Sequence, residues 1–133
     1  MITKNNAEME ISTELDISNA IRDFTNALVE TAHYKNYESA SERFQNDKEA
    51  QKALQEYRAK ARDLQTKQMF NTLSPTEQQD LQRLWIAFLG IISVQDFFDA
   101  QGEFQTLCVA CAQVISDNCS LDYATSCGSS CCG

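Results

Sequence analysis

An all-α bundle of about four to five helices, with a long central amphipathic helix and a flexible cysteine-rich C-terminal tail, is the fold class this chain predicts. Three observations carry it. Glycine and proline are scarce, four and one in 133 residues, so little in the chain interrupts a helix. Apolar residues recur at three- and four-residue steps and nowhere alternate as a strand would. All six cysteines fall between Cys108 and Cys132, a placement that a packed core does not require.

Each element follows from local signals. Residues 1–12 are polar and are expected to be a disordered segment. A first helix is predicted from about Thr13 to about Tyr34, with Ile17, Ile21, Phe24 and Leu28 on one face. A break near Lys35 and Asn36 leads to a short second helix, about Tyr37 to Phe44. Asp47 is a suitable N-cap for the long central helix, Lys48 to Phe70, whose seam is Ala50, Leu54, Tyr57, Ala61 and Leu64. Ser74-Pro75-Thr76-Glu77 is a capping box with proline at the first helical position, and opens a fourth helix carrying Leu81, Leu84, Trp85, Phe88 and Leu89. Gly90 and Ser93 mark a break, and Ser93 with Asp96 begins a last helix to about Asp117. Val94, Phe97, Phe98, Phe104, Leu107, Cys111, Val114 and Ile115 are its expected inward positions, and Gly102 weakens it slightly. The helical domain thus spans 13–118, and 119–133 is a Cys-rich tail. Helices of this length expose more apolar area than one small bundle covers, so an oligomer is expected.

The formal charge of −8 is unevenly spread. Every Lys and Arg lies between Lys4 and Arg83; from Leu84 onward the charged residues are Asp96, Asp99, Glu103, Asp117 and Asp122. Nucleic-acid binding needs a basic stripe, so direct binding by the C-terminal half is not expected. The N-terminus lacks the apolar core of a signal peptide, and the apolar stretch Leu84 to Val94 is too short to cross a bilayer. A cytoplasmic location is the expectation, and there clustered cysteines are more often metal ligands or redox groups than disulfides.

Thiolates are the preferred ligands of iron–sulfur clusters, Zn²⁺ and Cu⁺. A [4Fe–4S] cluster takes about four cysteines, as does an all-thiolate zinc site. The tail offers Cys127, Cys131 and Cys132, and the fourth ligand would be Cys119 or a partner chain's thiolate. The cysteine spacing matches neither a zinc ribbon nor a ferredoxin, so the metal stays open, with zinc as the alternative to a cluster. Cys108 and Cys111, three apart on the last helix, suit either core or ligand roles. No Lys, Arg or His near the tail lowers a thiol pKa, which argues against a cysteine nucleophile. His33, the one histidine, is expected to pack or hydrogen-bond. Carboxylates such as Glu38, Glu42, Glu49 and Glu56 lie on charged helical faces, and the Glu-x-x-His motif of di-iron bundles is absent. An enzyme is the least supported class.

Three stretches taken in order carry a resemblance. They are His33-Tyr34-Lys35-Asn36-Tyr37-Glu38-Ser39-Ala40, then Asn46 to Leu54 followed by Tyr57 and Leu64-Gln65-Thr66-Lys67-Gln68, then Ser93 to Ala100 with Glu103, Leu107, Val114 and Ile115. On these the chain resembles the YlbF/YmcA family of small helical bacterial regulators, in the branch with a C-terminal Cys/Gly tail. The resemblance implies a non-enzymatic, self-associating regulator. Its better-studied relatives work in a complex with two partner proteins; that complex carries [4Fe–4S] clusters and influences RNA processing by RNase Y, with effects on competence, sporulation and biofilm formation. By that analogy the cluster ligands are Cys127, Cys131 and Cys132. A metal-handling or electron-transfer protein, or a purely structural interaction module, are the alternatives.

Overall fold

The computed structural model describes residues 2–126. Among them there is no strand, and there are six helices: α1 (Ile2–Val29), α2 (Ala32–Asn46), α3 (Lys48–Met69), α4 (Pro75–Leu89), α5 (Ile92–Cys119) and α6 (Tyr123–Ser126). The chain divides into two compact units, with the boundary between Lys35 and Asn36 inside α2.

The first unit is α1 and the opening of α2. Helix α1 starts at Ile2, not Thr13, because nothing from Ile2 to Val29 is glycine or proline and Ala7, Glu8, Met9 and Glu10 are good helix formers. It ends at Val29, five residues before the expected Tyr34. Thr31 explains the early stop: its hydroxyl donates to the Leu28 carbonyl (2.6 Å) and accepts from the Tyr34 N–H (3.2 Å). That closes one helix and caps the next. The predicted break at Lys35 and Asn36 is therefore helical. Ile17, Ile21 and Phe24 share a face as expected, and that face is exposed. His33 is exposed too.

The second unit holds the core. Ala50, Phe88 and Val94 are its buried centre, with Phe44, Ala53, Leu54, Trp85, Leu89 and Ile91 packed around them. A run of touching rings crosses it: Phe104 stacks on Tyr37 (5.6 Å between centroids), Tyr37 meets Phe97 (5.9 Å), Phe97 stacks on Phe44 (5.1 Å), and Phe44 meets Phe88 edge-on (6.1 Å). Trp85 continues it between Phe88 (5.4 Å) and Tyr57 (4.9 Å). Aromatic side chains bury the most apolar area per residue, so a core short of large aliphatics is held by these contacts.

Two corners align the helices. Asp47 caps α3 by accepting from the Glu49 and Ala50 N–H groups (3.0 and 3.2 Å). Its second carboxylate oxygen accepts from the Ser93 hydroxyl (2.6 Å), tying the α2–α3 corner to the α4–α5 corner. This overturns the expected capping role of Ser93: α5 begins at Ile92 behind Ile91, without a side-chain cap. At the other end of α3, Asn71 takes a left-handed φ of 53°, a conformation asparagine tolerates. Lys67 then forms an ion pair with Glu77, and Glu77 also completes the capping box with Ser74. The hydrogen bond with Glu77, with its charge, holds the Lys67 ammonium above the usual lysine range. The bond with Lys67 in turn holds the Glu77 carboxyl low.

Helices α4 and α5 meet at a bend of 78°. No single helix among the described residues is long and apolar enough to cross a membrane. Gly102 lies in the exposed interior of α5, and a Cβ there would meet nothing within 4 Å. Gly102→Ala should therefore stabilise the protein by about 0.5–1 kcal/mol, through helix propensity and a less free unfolded chain. Urea unfolding followed by circular dichroism checks this, and a loss of stability would mean that the position is crowded.

Candidate functional site

The buried residues of α5 lie in its first half. Val94 is buried and Ala100 nearly so. Phe97 and Phe104 meet Tyr37 of α2, and the helix also packs against the single turn of α6. Three expected inward positions face solvent instead: Phe98, Val114 and Ile115 are 41%, 61% and 36% exposed. Leu107, Cys108 and Cys111 are half-buried.

Serine 116 folds the chain back at the end of α5. Its hydroxyl donates to the Ala112 carbonyl (2.9 Å) and accepts from the Tyr123 N–H (3.1 Å). The Leu121 N–H reaches the Ser116 carbonyl (3.3 Å), and Ser120 turns through a left-handed φ of 52°. Asp122 then opens α6 by accepting from the Thr125 hydroxyl (2.6 Å) and the Thr125 N–H (3.4 Å). Those bonds, the hydroxyl's first, hold the Asp122 carboxyl below the usual range, so it is charged at neutral pH.

Between α5, α6 and Tyr37 of α2 runs a groove of about 450 Å³. Phe104, Cys108, Val109 and Ala112 form its apolar floor, and Gln101, Gln105, Gln113 and Asp122 are among its polar edges. Nothing in the residue-by-residue reading anticipated it. The available signal was the spacing of Phe104, Cys108 and Ala112, every fourth residue, with Gln101 and Gln105 flanking at the same step.

Of the expected ligands, Cys119 is exposed as the last residue of α5. Cys127, Cys131 and Cys132 lie outside the described residues. Among the described residues no group of three or more His, Cys, Asp or Glu side chains gathers as a metal ion would require. Cys108 lines the groove, while Cys111 does not. What the structure contributes to a thiolate site is an accessible Cys119, at the end of a long helix and before a turn that leads into the tail.

The fold is thus an all-α body with an aromatic core and a cysteine-bearing C-terminal end. Residues 17–120 match the family described as Control of competence regulator ComK, YlbF/YmcA, and the chain belongs to that family. Its role is accordingly regulatory. The match takes in Cys108, Cys111 and Cys119 and stops before Cys127. No curated protein matches the chain, and no solved structure does.

Proposed function

We propose that this protein is a non-enzymatic regulatory adaptor that acts through protein partners, with its tail thiolates ligating an iron–sulfur cluster. Membership of a regulatory family carries the first part. The second rests on the concentration of every cysteine at one end of the chain, beside an exposed Cys119. Cys127, Cys131 and Cys132 would hold the cluster, with Cys119 or a partner's thiolate as the remaining ligand. The donor set fits, since soft thiolates favour iron–sulfur chemistry and a bound metal supplies the charge that deprotonates them where no base is near. A cluster there would order the tail and so report iron or redox status to the partners. Family relatives influence RNA processing, and an indirect effect of that kind through a partner suits a C-terminal region that carries no Lys or Arg after Arg83. The exposed apolar face of α1 is the surface through which we infer that the protein self-associates.

Anaerobic purification followed by iron, acid-labile sulfide and zinc analysis tests the cluster. Equal iron and sulfide with a broad absorption band near ~400 nm is expected. Replacing both Cys127 and Cys131 by Ser should abolish the iron and leave helicity intact. Unchanged iron and sulfide in that double variant would sink the ligand assignment, and stoichiometric zinc without iron would replace the cluster with a zinc site.

A further inference from the structure

The groove along α5 is a concavity with an apolar floor and a long axis. Its floor and edges run from Gln101 to Ser116, a rise of about 22 Å along the helix. That is a slot for a row of side chains, and helix-in-groove recognition uses such a row at every third or fourth residue. Exposed apolar side chains lie in it or close by: Val109 is 66% exposed and Leu121, just before α6, is 58% exposed. A contiguous apolar surface rimmed by amides and a carboxylate is the usual mark of an interaction site.

Charge decides what fits. Asp122 stands on the rim, Glu103 and Asp117 lie on the same helix, and no Lys or Arg occurs after Arg83. A basic flank on the occupant complements this rim, where Asp122 is the charged lining residue. The chain's own helices do not qualify. The apolar face of α1 is flanked by Glu14, Asp16 and Asp23 against Arg22. Helix α3 carries Lys48, Lys52, Arg58 and Arg62, but its apolar face is already used in its own core, with Ala50 and Leu64 at 0% and 4% exposure.

We propose that the groove formed by α5, α6 and Tyr37 docks an amphipathic helix of a partner protein, whose apolar face is flanked by Lys or Arg. This deepens the adaptor reading and is independent of the cluster. Apolar side chains of the partner would enter over Phe104, Cys108 and Ala112, with its basic flank beside Asp122.

The probe is a designed helical peptide of about 15 residues, leucine on one face and lysine on both flanks, titrated by fluorescence anisotropy into the full-length protein. A second peptide carries glutamate in place of lysine. The lysine peptide should bind at least ~tenfold more tightly, with affinity falling as salt rises. Ala112→Phe fills the floor without changing charge and should weaken binding by at least ~tenfold, and Val109→Gln should weaken it in the same direction. Circular dichroism confirms that both variants fold, and both should keep the wild-type iron content, which separates this test from that of the ligands. The proposal is overturned if neither peptide binds, if the glutamate peptide binds as well, or if Ala112→Phe leaves affinity unchanged. It is also overturned if the groove proves to be covered by a second copy, which Ala112→Phe would reveal by shifting the oligomeric state.

Discussion

Phe88→Ala should cost about 3–5 kcal/mol, the range for removing a buried phenylalanine from a core that closes only partly around the cavity. Phe88 is 2% exposed and joins the buried cluster with Ala50 and Val94. It also links the two arms of the ring network, touching Phe44 on one side and Trp85 on the other. Ala50, directly beside it, has no side chain long enough to fill the space. A loss of that size is a large share of the stability of a small domain. Trp85 is the single tryptophan and packs against Phe88, so its fluorescence during urea unfolding reports this unit. The matched control is Phe98→Ala: Phe98 is 41% exposed and meets the Phe97 ring edge-on, and its loss should cost about 1 kcal/mol or less. Near-equal losses at the two positions would mean that the core is not centred on Phe88.

Where residues act on their neighbours in sequence, the chain was legible. The capping box Ser74 to Glu77 and the Asp47 cap bond to backbone groups two or three residues away, and both were read correctly along with the limits of α3. Other features depended on distant partners. The Ser93 hydroxyl looked like a cap for its own helix, but its acceptor is Asp47, 46 residues earlier. The α1–α2 break moved to Glu30 and Thr31 because a threonine capped without a glycine or proline to announce it. The inward stripe of α5 was correct at Val94 and wrong at Phe98, Val114 and Ile115, which are exposed: periodicity gives a helix its apolar face but not which of those positions a neighbour will cover. The same ambiguity hid the groove, since Phe104, Cys108 and Ala112 have core spacing whether or not anything covers them. Cys119 is found at the accessible end of α5, while the tail ligands rest on their chemistry and on family resemblance.

The Asp47 carboxylate should contribute to the dependence of stability on acid pH, and Asp47→Asn should remove that contribution. One carboxylate serves three donors: the Ser93 hydroxyl, the Ala50 N–H and the Glu49 N–H. These bonds, the Ser93 hydroxyl's first, favour the charged form more than burial opposes it, so the group sits below the usual aspartate range. A depressed pKa means that the folded state binds its proton later than the unfolded state as pH falls. The stabilisation is therefore complete above the unfolded value of about 3.9 and is lost as pH drops through the lowered folded value. Asparagine can still cap α3 through its side-chain oxygen, so Asp47→Asn removes the charge and spares the local helix start. Asp47→Ala removes the acceptor from all three donors and should lower the melting temperature more than Ser93→Ala, which removes only one. Glu77 and Asp122 are shifted in the same direction, so acid will destabilise every variant, and the useful quantity is the difference between wild type and Asp47→Asn. Thermal melts at about pH 7 and about pH 3 should show that difference shrinking toward zero on the acid side. A difference of the same size at both pH values would show that Asp47 acts by hydrogen-bond geometry alone and that its charge does not hold the two corners together.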